Sequence, residues 1–235
     1  MRRGLLILMN VISVLLWALT AQPAENVEGK IFYTTTNIWF DNQSNIESTN
    51  YLRGQFLPIG TKVKITEVRD GSKPVINTLD LEQRQDCIRF HDSSGKSYKI
   101  VFISRHAAAG ASVWDLFKQY FSQNDPTAEG GAFSSLTNEE QKMVRAGETA
   151  FGMSKAAVIM AYGYPPANKT PSLQLNKWIY WENFFKTRAI YFKDDKVVAD
   201  SKTKKPASSI DACIKACREY TSRTSEQCFD ECKPK

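Results

Sequence analysis

Four of the five cysteines fall within CIKACREYTSRTSEQCFDEC at 213–232, and no other feature restricts the fold of this chain so tightly. Cys213 and Cys217 are four apart, as are Cys228 and Cys232, so each pair lies along one face if the segment is helical. Ten residues separate the inner cysteines, and the TSRTS stretch among them can end one helix and cap the next. Antiparallel helices would then set Cys213 against Cys232 and Cys217 against Cys228, within bridging range. Four cysteines allow three connectivities, of which antiparallel geometry favours this ladder. Each bridge is worth about 2–4 kcal/mol to a hairpin too small for its own core. A tetrathiolate zinc site is the competing use of the four thiols, although thiols of exported proteins tend to oxidise.

Export is what the other terminus suggests. Arg2 and Arg3 precede an apolar run from Leu5 to Ala18, interrupted by Asn10 and Ser13, and small residues stand at Ala18, Ala21 and Ala24. That is the pattern of a secretory signal peptide over residues 1–24. The 14-residue run is short of the ~20 residues a spanning helix needs, which leaves an uncleaved anchor as the competing reading. No cysteine lies near the cleavage site to carry a lipid, and no later stretch has the length and apolarity of a membrane-spanning helix. Removing the segment takes away two arginines and no acid, so the formal charge falls from +6 to about +4. The remaining basic residues mix with acidic ones except at KTKK, 202–205. With no basic face carrying interleaved aromatics, nucleic acid is excluded as the expected partner.

Residues 28–122 predict a β-rich domain with a closing helix. KIFYTTTNIWF is rich in β-branched and aromatic residues, and TKVKITEV places Val63, Ile65 and Val68 toward one side. CIRF and YKIVFI flank the turn-rich HDSSGKS, a hairpin signal. Short strands at this spacing predict a small antiparallel barrel or sandwich of SH3-like character. Ser112 and Asp115 then open a helix whose Val113, Leu116, Phe117, Tyr120 and Phe121 form an apolar stripe suited to cover the β unit. Residues 123–136, QNDPTAEGGAFSSL, read as a linker. Thr137 and Glu140 form a capping box for the next helix.

FGMSKAAVIMAYGYPP, 151–166, predicts a helix capped by Ser154, with Ala157, Val158, Ala161 and Tyr162 on one face and Gly163 ending it. Downstream, KWIYW and RAIYF alternate, and KDDK turns into VVA. These predict a three-stranded antiparallel meander with an aromatic face that the preceding helix covers. The ordered series Gly152-Met153-Ser154-Lys155, Val158, Gly163-x-Pro165, Trp178-x-Tyr180, Phe192, Asp194-Asp195 and Val197-Val198 resembles the SmpA/OmlA family of small outer-membrane proteins. That family includes the BamE subunit of the β-barrel assembly machinery. The resemblance covers about residues 140–200 and implies two helices packed on a three-stranded antiparallel sheet, within a domain at 137–200. It also implies a non-catalytic adaptor in the periplasm or at the outer-membrane periphery. The chain differs from typical members in lacking a lipidation cysteine, in its β-rich front half and in its tail.

The expected whole is therefore α+β: the β unit, the BamE-like unit, a linker at 201–209 and a disulfide-stapled helical hairpin at 210–235. The expected function is an exported binding or assembly module that takes a protein partner in the envelope, with a membrane surface as a further candidate and no cofactor. Its contact residues would be Tyr164, Trp178, Tyr180 and Trp181, on the loop after the helix and the exposed side of the meander. Two other functional classes compete. One is a secreted cell-wall hydrolase or thiol enzyme using Cys87 with His91 or His106; the other is a purely structural envelope protein. Cys87 itself reads most simply as a buried small apolar residue.

Overall fold

The computed structural model describes residues 26–71 and 85–201, with 217, 218, 223, 224 and 226–228 of the tail. The predicted signal peptide, Cys213, Cys232 and nearly all of the 201–209 linker lie outside the described residues.

Seven strands open the fold: β1 (Ile31–Thr34), β2 (Ile38–Phe40), β3 (Ile46–Glu47), β4 (Gln55–Leu57), β5 (Lys62–Arg69), β6 (Cys87–Asp92) and β7 (Ser97–Val101). A 3-10 turn at Ser104–His106, helix α1 (Val113–Tyr120) and the two-residue strand β8 (Phe121–Ser122) follow. Six strands curl into a half-barrel in the order β3-β7-β6-β5-β1-β8, while β2 and β4 pair as a separate ribbon. Only β3 and β7 run parallel within that sheet.

Local chemistry explains the register. Val63, Ile65 and Val68 break strict alternation, yet all three are buried. A bulge between Ile65 and Glu67 inserts the extra residue that turns Val68 back to the core face. The β6–β7 turn is held by Asp92 Oδ1, which accepts from the Ser94 and Lys96 amides at 2.9 and 3.0 Å. Ser112 and Asp115 form a complete capping box on α1, whose Val113, Leu116, Phe117 and Tyr120 join the core of the curled sheet. The stripe thus closes the β unit.

The second half contains α2 (Asn138–Ala146), α3 (Lys155–Tyr162), β9 (Lys177–Trp181), β10 (Thr187–Lys193) and β11 (Lys196–Asp200). The last three form a sheet in the order β11-β10-β9. Thr137 and Glu140 complete the capping box of α2, and Glu140 also accepts from the Ser154 amide at 2.7 Å, tying the starts of the two helices together. Burial pushes the Glu140 carboxyl upward, but the bonds from Ser154 and Thr137 outweigh it and hold the group down at about 2. Across the sheet, Arg188 grips the buried Asp200 with two bonds, Nε to Oδ1 at 2.9 Å and Nη2 to Oδ2 at 2.7 Å.

The expected fold class needs correction. The body is mostly sheet, built around the six-stranded half-barrel, and its helices among the described residues are a 3-10 turn and three α-helices of 8 or 9 residues. It is neither a small SH3-like barrel nor a BamE-like arrangement of two helices on a three-stranded sheet. The reason lies in α3, which is apolar nearly all round. Its Ala157, Val158, Ala161 and Tyr162 are buried as the capped-helix reading expects, but its C-terminal end is driven into the β2–β4 ribbon. Asn37 N donates to Met160 O at 2.8 Å, Trp39 Nε1 to Ala161 O at 3.0 Å and Asn50 Nδ2 to Tyr162 O at 2.6 Å. Gly163 closes the helix at φ +76°, where a Cβ would lie 2.4 Å from Asn50 Nδ2. At 123–136, Phe133 is buried in the same core as α3 and the second sheet.

The tail contains a Cys217–Cys228 disulfide with Cα atoms 5.7 Å apart. This is the inner rung of the expected ladder, and it removes two thiols from the tetrathiolate alternative.

Asn37 is fully buried; its Nδ2 donates to Val144 O at 2.7 Å and Ala161 O at 3.3 Å, and its Oδ1 accepts from Ile59 N at 2.9 Å. Asn37→Ala removes these three bonds and strands the buried Ile59 amide, while Val144 O keeps Gly147 N and Ala161 O keeps Trp39 Nε1, so chemical denaturation should show a loss of about 1–3 kcal/mol.

Candidate functional site

Because the end of α3 is pinned, the loop that leaves it has a fixed course. Tyr164 to Leu173 runs along α1 and the 3-10 turn and closes a cavity of about 210 Å³. Pro165, Pro166 and Pro171 form one wall; Ser112, Asp115, Leu116 and Gln119 of α1 form another, with Ser48, Phe102 and His106 between them. Tyr164 also borders a more open groove of about 510 Å³ on its other side, between the outward face of α3 (Ala156, Ile159, Met160) and residues 124–132. One half-exposed tyrosine therefore divides two adjoining concavities.

Most polar groups of the cavity are committed to the fold. Ser112 Oγ donates to Asp115 Oδ2 at 2.8 Å within the capping box, and Ser48 Oγ accepts from Ile103 N at 2.8 Å. Thr170 Oγ1 accepts from Ile179 N at 2.8 Å and so seals the outer edge of β9. His106 Nδ1 is bonded to Thr49 Oγ1 at 2.7 Å, and its ring stacks on Trp181 with centroids 6.1 Å apart. Among the described lining residues, the Tyr164 hydroxyl, the Gln119 side-chain amide and His106 Nε2 keep hydrogen-bonding capacity that the protein does not use. Burial, aided by the charges of Arg105 and Lys169, lowers the His106 pKa. Burial raises that of Tyr164. Both groups are thus neutral near pH 7, while the Ser112 bonds hold the Asp115 carboxyl down, so the α1 wall carries a carboxylate opposite the prolines.

The four predicted contact residues separate. Tyr164 is at the cavity. Trp181 is half-buried behind it, under the His106 ring and with Lys169 Nζ 4.8 Å above its own ring. Trp178 and Tyr180 are core residues: Trp178 packs on Phe192 at 4.6 Å, and Tyr180 donates to Gly163 O at 3.1 Å. Strand alternation permits either face for this pair, and the register with Ile190 and Arg188 turns them inward. Ser48, Gln119 and the outward face of α1 escape sequence reasoning, and His106, read there only as a partner for Cys87, joins them because residues from about 48 to 173 meet here only through the tertiary fold. The one local signal was SRHAAAGAS, a polar, glycine-containing loop with one of only two histidines.

Cys87 is fully buried on β6, and burial raises its pKa, the opposite of what a thiolate nucleophile requires. The histidines are engaged elsewhere, His91 with Ser97 Oγ at 3.1 Å and His106 with Thr49. No helix among the described residues is long and apolar enough to cross a membrane, and no cluster of three or more His, Cys, Asp or Glu among them could hold a metal ion. No protein-family model, curated protein sequence or solved structure matches the chain.

Two outcomes follow from this geometry. Native protein treated with an alkylating reagent should leave Cys87 unmodified, with labelling by mass spectrometry appearing only after denaturation. Since folding lowers the His106 pKa below its ordinary 6.5, the unfolded chain binds the extra proton as pH falls below that value, and folding stability drops. Denaturation from pH 7 to 5 should show this fall, and His106→Gln should flatten it.

Proposed function

We propose that this protein is an exported, non-catalytic binding module of the bacterial cell envelope that engages a protein partner through the cleft at Tyr164. The observation that carries this reading is the position of Tyr164 between two concavities, half-exposed, with a hydroxyl that the fold leaves without a partner. A tyrosine so placed offers rigid apolar area and one polar handle, the combination that favours it at protein interfaces. Export is supported by the signal-peptide pattern of the first 24 residues and by the Cys217–Cys228 disulfide, which suits an oxidising compartment. A non-catalytic role is supported by the polar groups of the cavity, because Ser112, Asp115 and Ser48 are engaged in caps and backbone bonds and form no nucleophile–base pair. The outer-membrane assembly role implied by the family resemblance is not carried forward, since the fold that would support its transfer is not formed.

A photo-crosslinking residue in place of Tyr164 tests this in intact envelopes. A protein adduct should form there and be absent when the same residue replaces Lys62 on the exposed side of β5. Tyr164→Ala should cut partner capture at least tenfold while the thermal midpoint moves by no more than a few degrees. Equal capture by wild type and Tyr164→Ala would remove the cleft from the interaction.

A further inference from the structure

The turn between β9 and β10 ends in an apolar protrusion. Phe185 is 98% exposed and Phe184 52%. The turn is built, not slack: Asn183 Oδ1 accepts from the amides of Phe185 and Lys186, both at 2.9 Å, and Glu182 N donates to Lys186 O at 2.8 Å. Phe184 leans on Tyr51, with ring centroids 5.0 Å apart, and the Arg53 guanidinium lies 5.4 Å above the Phe184 ring. Order is thus used to hold a phenylalanine in water at a convex tip, where nothing in the fold requires it.

Charged pairs flank this tip. Lys186 is exposed and reaches the buried Glu182 carboxylate at 3.5 Å. Arg53 pairs with Asp41 at 2.6 Å and keeps its guanidinium over the aromatic rings. At the base of the hairpin, Lys169 sits over Trp181, and exposed Arg105 is near enough for its charge to be felt at both Tyr51 and His106. We infer that the Phe184–Phe185 tip is a membrane-docking element that enters an anionic phospholipid interface, with Arg53, Arg105, Lys169 and Lys186 meeting headgroup phosphates. Two features select lipid over a protein pocket. The apolar element is convex and small, and Arg105 and Lys169 at its base add positive charge beyond the Arg53–Asp41 and Lys186–Glu182 pairs. Arg105 and Lys169 flank both this surface and the Tyr164 cleft, but Phe185 lines neither concavity, so Phe185→Ser reads the tip independently of the protein-binding proposal.

Sedimentation of the full-length protein with vesicles of phosphatidylglycerol and phosphatidylcholine, against phosphatidylcholine alone, tests this directly. The apolar run at the N-terminus adds the same background to every variant, so differences are read. Phe185→Ser should lower partitioning to the anionic vesicles about tenfold without changing the thermal midpoint, because Phe185 buries almost nothing. Arg105→Glu with Lys169→Glu should weaken it several-fold at low salt and much less at high salt. Phe185→Trp should add emission that brominated lipid quenches beyond the wild-type level. The inference is overturned if Phe185→Ser sediments like wild type, or if the tryptophan at 185 gains no lipid quenching. Loss of a protein crosslink with vesicle binding unchanged would likewise replace lipid by a protein pocket.

Discussion

The last four carbonyls of α3 have no partners within the helix, and supplying those partners organises the molecule. Ile159 O is taken by the Gly163 amide; Met160, Ala161 and Tyr162 are taken by Asn37, Trp39 and Asn50 of the first half. A short helix has little stability alone, and this one borrows its ending from a ribbon more than a hundred residues earlier. Burial makes the arrangement obligatory, since each of these carbonyls would cost free energy if left unpaired away from water. The two cores are joined at this point as much by polar satisfaction as by apolar packing.

Everything on the functional face descends from that junction. With Gly163 fixed against Asn50, Tyr164 must emerge where the halves meet, and the prolines after it must run along α1. Tyr180 reinforces the position from below through its bond to Gly163 O. Thr170 and the Leu52 amide occupy the outer edge of β9, so the second sheet is closed to strand addition along that side and directs its exposed chemistry to the hairpin tip. The cleft and the tip are therefore two outlets of one frame, the first concave and the second convex.

Much of the local structure was legible in the sequence. Ser112 with Asp115 and Thr137 with Glu140 each form the reciprocal caps their spacing implies, because capping is decided within four residues. Val63, Ile65 and Val68 point to a shared face, though only the bulge explains how the third joins the other two. CxxxC pairing anticipated Cys217 with Cys228. The arrangement of α2 and α3 was misread because the amphipathic reading of 155–162 found one face and a cover for it. The helix in fact needs a second neighbour, and nothing near it in the chain says which. In the site, Tyr164 could be reached from Gly-x-Pro turn chemistry, whereas Gln119 and Ser48 could not, and His106 could be singled out only for a different role. Phe184 and Phe185 lie adjacent in ENFFKT, and only the turn geometry fixes that both stay exposed.

The sequence by itself determined where helices start and stop, which strands alternate and which residues are too apolar to stay in water. These depend on contacts within a few residues or on composition. Only the tertiary structure decided that Trp178 and Tyr180 face inward, that α3 ends inside the other half, and that Tyr164 divides two concavities while Phe185 stands alone. Those outcomes rest on strand register and on which distant donors meet the free carbonyls of one short helix. Both are properties of the assembled chain, since a one-residue shift in register would exchange the buried and exposed aromatics without altering any local preference.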